Sequence, residues 1–168
     1  MIADEIPTRV PSIDECNFTS NASYIHLTSN ETISGAQWKI FPENTAPLVA
    51  DMSSDFLSKP LDISNFGLIY AGAQKNLGPA GVTLVIIKDE LADKCPKHIP
   101  TIFRYKTYIE NNSLFNTVPT FPVYVLCLVT RWMKKIGGIT EIQNINENKA
   151  NKLYKAIDSS DFYVGTAV

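Results

Sequence analysis

The fold class of this chain follows from residues 66–87, which read FGLIYAGAQKNLGPAGVTLVII. Two apolar runs, Leu68–Ala71 and Val82–Ile87, enclose a glycine-rich segment that carries one cation, Lys75. Short apolar runs bounded by turn residues are typical of strands inside a sheet. The second run is largely β-branched and nearly continuous, so we expect it to be buried on both faces.

The neighbouring segments extend this pattern into an α/β fold. Two earlier apolar runs, Tyr24–Leu27 and Leu48–Ala50, predict further strands, and Asp89–Cys95 fits one or two helical turns. Helical patterns follow over Thr120–Ile136 and Thr140–Ile157, and the first leads into a Gly-Gly pair typical of a helix C-terminus. Strands followed by helices favour the α/β class.

Composition and charge limit the kinds of function that the chain can have. The 168 residues are 45% hydrophobic and 19% charged, which is globular, and a net charge of -2 argues against binding nucleic acid through basic charge. The spacing of Cys16, Cys95 and Cys127 suggests neither a disulfide framework nor a metal site. We expect no membrane span, because every apolar run is too short, and a cytoplasmic location, because the N-terminal residues show no secretory signal.

Two residues that follow predicted strands are candidates for chemistry. Asp51 and Lys75 each come after an apolar run, and ligands of α/β sheets bind outside the carboxyl ends of strands. Taken alone, such an Asp is usually a turn former and such a Lys is usually a surface charge. No other charged residue lies between Asp62 and Lys88, however, so we expect Lys75 to be desolvated, as imine chemistry favours. An Asp paired with a Schiff-base Lys is typical of pyridoxal phosphate enzymes.

Four separate motifs resemble the phosphoserine aminotransferase family, which belongs to the fold-type-I pyridoxal phosphate enzymes. They are Asn30–Ile33, Ala50–Pro60, Phe66–Thr83 and Ser113–Phe121. The resemblance covers roughly Tyr24 to Tyr163, and motifs in the same order with compatible spacing make it specific.

The resemblance implies that the chain is part of a large domain, with a mostly parallel sheet flanked by helices. Residues 1–23 would be an irregular lead-in, and residues 24–168 an incomplete pyridoxal phosphate-binding large domain. The family's N-terminal part and its C-terminal small domain would be missing, so we expect a truncated or fragment chain.

The resemblance also implies a role for each site residue. Lys75 would form the imine with pyridoxal 5'-phosphate and then move a proton between the substrate α-carbon and the cofactor. Asp51 would pair with the pyridine nitrogen of the cofactor. Thr32 would hydrogen-bond its 3-oxygen, and Gln74 would contact its phosphate.

Two further residues would act across a subunit interface. Asn116 and Thr117 would reach the phosphate of the cofactor that the partner subunit holds, so the resemblance implies a homodimer. The family's basic substrate-binding residues have no counterpart in the motifs, and Arg104 and Lys106 are the basic candidates nearby.

The implied reaction is a transamination in serine biosynthesis. Amino transfer from L-glutamate to 3-phosphohydroxypyruvate would give O-phospho-L-serine and 2-oxoglutarate. Two alternatives stay open. The chain could be a catalytically inactive remnant that pairs with a complete subunit, or another fold-type-I pyridoxal phosphate enzyme.

Overall fold

The computed structural model describes residues 8–43 and 46–165. One sheet contains four strands, in the order β1 (Ile25–Thr28), β2 (Leu48–Asp51), β3 (Leu68–Gly72) and β4 (Thr83–Ile87). The first three strands are parallel, and β4 runs antiparallel to β3. The mostly parallel α/β sheet that the sequence predicts is therefore confirmed.

Four α-helices of the described residues follow β4 along the chain. They are α1 (Asp89–Asp93), α2 (Tyr105–Glu110), α3 (Thr120–Lys135) and α4 (Ile139–Asp158). The two long helices begin and end within one residue of the predicted bounds. Gly137 and Gly138 separate them with φ angles of 121° and 80°, which glycine adopts without steric cost. The sequence did not predict α2, which is only six residues long.

One face of the sheet carries the hydrophobic core. Successive side chains of a strand point to opposite faces, and on the core side Ala50, Ile69 and Ala71 are 0% exposed. The other buried members of the core come from the strands and the loops that follow them: Leu27, Leu48, Met52, Phe56, Phe66, Ala73 and Leu77. Several core residues therefore lie in the loops that also carry the candidate site.

The opposite face of the sheet carries polar side chains. Asp51 on β2 and Tyr70 on β3 are register partners on this face, and His26 lies on it in β1. His26 is exposed, whereas Asp51 and Tyr70 are half-buried. The candidate carboxylate thus belongs to the polar face, at the last residue of its strand.

The expectation that the fourth strand is buried on both faces is wrong. Leu84 and Ile86 of β4 pack against the core, but Thr83 and Val85 on the other face are exposed. In the described part of the chain β4 is an edge strand, paired only with β3. Its β-branched residues therefore fit a strand that is buried on one face only.

The predicted lead-in and domain lie partly outside the described residues, namely at 1–7, 44–45 and 166–168. Within 8–23, one 3-10 turn forms at Ile13–Glu15 and the remaining backbone is irregular. The boundary at residue 24 stays a prediction. Of the helices in the described ranges, none has the length and apolar character needed to cross a membrane.

Candidate functional site

The loops that follow the three parallel strands meet at the carboxyl edge of the sheet. The first loop begins with Ser29, whose backbone N–H donates to the Asp51 carbonyl at 2.9 Å. The second begins with Met52, whose N–H donates to the Tyr70 carbonyl at 2.8 Å. These two bonds continue the pairing of the strands to the first residue of each loop. Both loops therefore leave the sheet at the same edge, and the residues that follow lie close together.

The Asp51 carboxylate is held by the residue two positions after it. Asp51 Oδ1 accepts hydrogen bonds from the Ser53 backbone N–H at 2.9 Å and from the Ser53 hydroxyl at 2.6 Å. The same hydroxyl oxygen accepts the Gly72 N–H at 3.0 Å. The carboxylate is thereby connected to the end of β3.

Lys75 lies on a tight turn with an anchored residue on each side. The Ala73 carbonyl accepts the N–H of Leu77 at 3.1 Å, and both of these residues are buried. Between them the Asn76 side chain donates to the Phe56 carbonyl at 2.7 Å. The backbone around Lys75 is therefore fixed while its side chain extends from the turn.

The return from this turn to β4 requires glycine at position 81. Gly81 has a φ of +113°, a conformation that residues with a Cβ rarely adopt. A Cβ there would also lie 3.2 Å from Pro122 Cγ in the first turn of α3. The glycine-rich segment therefore lets the Lys75 turn pack closely against that helix.

Thr32 reaches Lys75 across a separation of 43 residues. Lys75 Nζ donates to Thr32 Oγ1 at 2.6 Å. The Thr32 loop is closed by a β-bridge between Asn30 and Gln37, and the Asn30 side chain and carbonyl both bond to Ser54 Oγ, at 3.0 and 2.9 Å. The first and second loops are thus tied together, and this tie places Thr32 beside the lysine.

A buried hydroxyl and a carboxylate reinforce the contact between the same two loops. Ser29 is 1% exposed, and its hydroxyl donates to a carboxylate oxygen of Asp55. The other oxygen of Asp55 accepts from Gln37 Nε2 at 2.8 Å. Local sequence patterns do not reveal this cluster, because its members lie 18 and 26 residues apart and form no local motif.

Gln74 lies next to the end of β3. A Cβ placed on Gly72 would be 2.6 Å from Gln74 Oε1, so the amide group folds back over this glycine. Gly72 is the residue whose N–H bonds to Ser53. The structure therefore connects Gln74 with Asp51 through a short chain of contacts, and Lys75 follows directly.

The expectation that Lys75 is desolvated is wrong for the described residues. Lys75 and Gln74 are both exposed. Their side chains extend from the turn into solvent, whereas Ala73 and Leu77 on either side of them are buried. The lack of charged residues near Lys75 in the sequence predicts burial, but this lack reflects the apolar residues of the neighbouring strands. It does not determine the exposure of a side chain in the loop after β3.

Asn116 and Thr117 are not brought into the cluster around Lys75. Both are exposed in the loop between α2 and α3, and Asn116 Nδ2 donates to the Thr117 carbonyl at 3.2 Å. Among the described residues, no hydrogen bond joins either side chain to Thr32, Asp51 or Lys75.

The two basic candidates for substrate contact have local partners. Arg104 Nε donates to the Ile99 carbonyl at 2.6 Å, and its terminal nitrogen donates to the Lys97 carbonyl. Lys106 forms an ion pair with Asp93 at 2.5 Å. All of these partners lie within residues 93–106, which favours a local structural function for both cations.

Tyr70 is a second residue next to Asp51 that sequence patterns missed. Its hydroxyl lies 3.0 Å from His26 Nε2, and the two rings are stacked with centroids 6.0 Å apart. Burial raises the pKa of Tyr70, and the charges of Asp51 and Tyr105 nearby raise it further. The alternation of β3 could have placed Tyr70 on the polar face, but only strand register pairs it with Asp51.

We expect the raised pKa of Tyr70 to make the protein less stable in alkali. The folded state favours the neutral phenol, so this stability is fully present below pH ~10, the ordinary tyrosine pKa, and is lost as pH rises through the higher folded pKa. In urea titrations, the free energy of unfolding of the wild type should fall more steeply as the pH rises above ~10 than the free energy of unfolding of Tyr70→Phe. Tyr154→Phe, at an exposed position on α4, is the control. Parallel curves for wild type and Tyr70→Phe would contradict the prediction.

Comparison with known proteins adds to this geometry. The family model described as aminotransferase class-V matches residues 8–167. This match begins upstream of Tyr24, so the similarity to the family extends further towards the N-terminus than the predicted range from Tyr24 to Tyr163. A phosphoserine aminotransferase of Herpetosiphon aurantiacus is 54% identical over 162 residues, which are 95% of this chain and 45% of that protein.

Solved structures agree with the sequence relatives. A phosphoserine aminotransferase studied for radiation damage of its Schiff base is 50% identical, with a TM-score of 0.92 over 96% of this chain and 45% of that one. A phosphoserine aminotransferase from Trichomonas vaginalis, solved with PLP bound, is 36% identical with a TM-score of 0.90, at the same coverage. The chain therefore spans less than half the length of the relatives it matches.

Proposed function

We propose that this chain, which belongs to the class-V aminotransferase family, carries the part of a phosphoserine aminotransferase that anchors pyridoxal 5'-phosphate. The observation that carries the proposal is the hydrogen bond of 2.6 Å between Lys75 Nζ and Thr32 Oγ1. The reaction proposed for the whole enzyme is amino transfer between L-glutamate and 3-phosphohydroxypyruvate. Relatives curated as phosphoserine aminotransferases, more than half identical to the chain, support this choice of substrates.

The donor set at the carboxyl edge fits the proposed cofactor. Pyridoxal phosphate has an aldehyde next to a phenolic oxygen, and an amine and a hydroxyl 2.6 Å apart suit these two neighbouring groups. The Asp51 carboxylate suits a protonated ring nitrogen. The exposed amide of Gln74 suits phosphate oxygens, which accept hydrogen bonds from neutral donors.

Each residue then has a separate task. The bound cofactor supplies an electron sink for chemistry at the α-carbon of an amino acid. Lys75 would hold the cofactor through Nζ and would carry a proton at that nitrogen. The Thr32 hydroxyl, which accepts from Nζ in this structure, would hydrogen-bond the 3-oxygen of the cofactor. Asp51 would keep a proton on the ring nitrogen of the bound cofactor, because a carboxylate nearby stabilises the charged form.

The loop before α3 supports a proposal about a second subunit. Asn116 and Thr117 are exposed, and the Asn116 side chain bonds only to its neighbour among the described residues. We assign them to the phosphate of the cofactor in a partner subunit, which makes the enzyme a homodimer. Short neutral donors of this kind suit a phosphate group.

The cofactor proposal is tested with the 168-residue chain itself. Purified protein titrated with pyridoxal phosphate should gain visible absorption, and borohydride should fix the cofactor covalently to the peptide that contains Lys75. If saturating cofactor gives no absorption beyond that of free pyridoxal phosphate, the anchoring function is wrong and the inactive remnant that pairs with a complete subunit is favoured.

Amino acids then distinguish the remaining possibilities. L-Glutamate and O-phospho-L-serine should each discharge the visible absorption of the loaded chain if it carries out the half-reaction. Discharge by other amino acids but not by these two would favour another fold-type-I enzyme. An unchanged spectrum with both would show that the chain binds the cofactor without a working substrate site.

A further inference from the structure

We infer that Ser53 is a positioning residue, whose hydroxyl orients the Asp51 carboxylate and ties it to the strand that leads into Lys75. The inference rests on the proposed function, because Asp51 acts on the cofactor. A hydroxyl has one hydrogen to donate and two lone pairs to accept with. Ser53 uses both capacities, since it donates to Asp51 Oδ1 at 2.6 Å and accepts the Gly72 N–H at 3.0 Å.

A second aspartate in the chain shows what is distinctive about Ser53. Asp62 Oδ1 accepts from the Ser64 N–H at 3.0 Å and from the Ser64 hydroxyl at 2.7 Å, nearly the same distances as in the Asp51–Ser53 pair. Ser64 lies in an exposed 3-10 turn, and its hydroxyl has no further hydrogen bond among the described residues. An Asp-x-Ser contact is thus an ordinary local turn. The bond to Gly72 on another strand is what turns Ser53 into a link between strands.

This link connects Asp51 with the segment of chain that carries Gln74 and Lys75, the other two residues of the proposed site on this side. Gly72 is the last residue of β3, and the Gln74 amide folds over it. Lys75 follows three positions after Gly72. One hydroxyl therefore holds the carboxylate on β2 at a fixed distance from the end of β3, and with two donors on Oδ1 the rotation of the Asp51 carboxylate is restricted.

We expect Ser53→Ala to weaken binding of pyridoxal phosphate by roughly tenfold, because Asp51 loses a hydrogen bond to a charged group and the Gly72 N–H loses its acceptor. Ser53→Thr retains a hydroxyl and should restore most of the affinity. Ser64→Ala removes the matched hydroxyl away from the site and should bind as wild type does. Wild-type affinity in Ser53→Ala, or equal weakening in Ser64→Ala, would overturn the inference.

A double-mutant comparison tests whether Ser53 acts through Asp51. In an Asp51→Ala background, Ser53→Ala should lose most of its effect on the dissociation constant, because coupled residues are not additive. An undiminished effect in that background would show that Ser53 acts independently of the carboxylate, and would overturn the inference.

Amide exchange separates a failure of this inference from a failure of the proposed function. In the protein without cofactor, the Gly72 N–H should exchange faster in Ser53→Ala than in wild type or Ser64→Ala, and unchanged exchange would overturn the tie between the strands. If wild type binds no pyridoxal phosphate at all, the proposed function fails, and the positioning role towards the cofactor fails with it, whatever the exchange rates are.

Discussion

Lys75→Ala is expected to abolish covalent attachment of pyridoxal phosphate to this chain. An imine needs a primary amine, and Lys75 is the lysine whose Nζ is held by a hydroxyl at the carboxyl edge of the sheet. Its exposure means that the substitution opens no cavity in the core, so the variant should remain folded. Mass spectrometry after borohydride treatment measures the loss.

Two variants make the Lys75 result specific. Lys75→Arg keeps a positive charge but should also fail to attach the cofactor, because a guanidinium is not deprotonated in proteins. Lys152→Ala removes an exposed lysine from α4 and should leave attachment intact. Labelling of Lys75→Ala to the same extent as wild type would mean that surface lysines react and that the proposed anchor is wrong.

Asp51→Asn is expected to reduce the affinity for pyridoxal phosphate by about 10- to 100-fold, the range for losing a hydrogen bond to a charged group. Asparagine keeps an oxygen that can accept the two donors of Ser53, so the local turn should survive and only the charge is removed. The ring nitrogen of the cofactor then loses the partner that stabilises its protonated form. A titration of visible absorption gives the dissociation constant.

The matched control for this charge change is Asp62→Asn. Asp62 makes the same pair of hydrogen bonds to the serine two residues later, in a 3-10 turn instead of at the end of a parallel strand. Its replacement should leave cofactor affinity as in wild type. If both variants weaken binding equally, the effect comes from loss of net negative charge and not from a contact to the ring nitrogen.

Strand and helix positions could be read from the sequence because their signals are local. The apolar runs at Leu48–Ala50 and Leu68–Ala71 each became a strand with at most one added residue, and the Gly137-Gly138 pair separates the two long helices as expected. The positions of Asp51 and Lys75 after adjacent parallel strands also follow from sequence. The rule that ligands bind at the carboxyl ends of strands then predicts one common edge.

Burial was less predictable, because it depends on what packs against a segment rather than on the segment itself. The run Val82–Ile87 has the composition of a strand buried on both faces, yet only Leu84 and Ile86 pack against the core, and Thr83 and Val85 on the other face are exposed. The lack of charged residues near Lys75 in the sequence likewise predicts a desolvated side chain, whereas Lys75 is exposed. In both cases the local pattern predicts the position of the strand correctly, but it does not predict the solvent exposure of the side chains.

The sequence alone therefore determined which segments form the sheet and which residues end its strands, since apolar periodicity and glycine placement act over a few neighbouring positions. Only the tertiary structure decided that Thr32 meets Lys75, that Tyr70 lies beside Asp51, and that Ser53 bonds to Gly72. These contacts join residues 43, 19 and 19 positions apart. The pairing register of β1, β2 and β3 creates them, and that register is set by how the whole core packs.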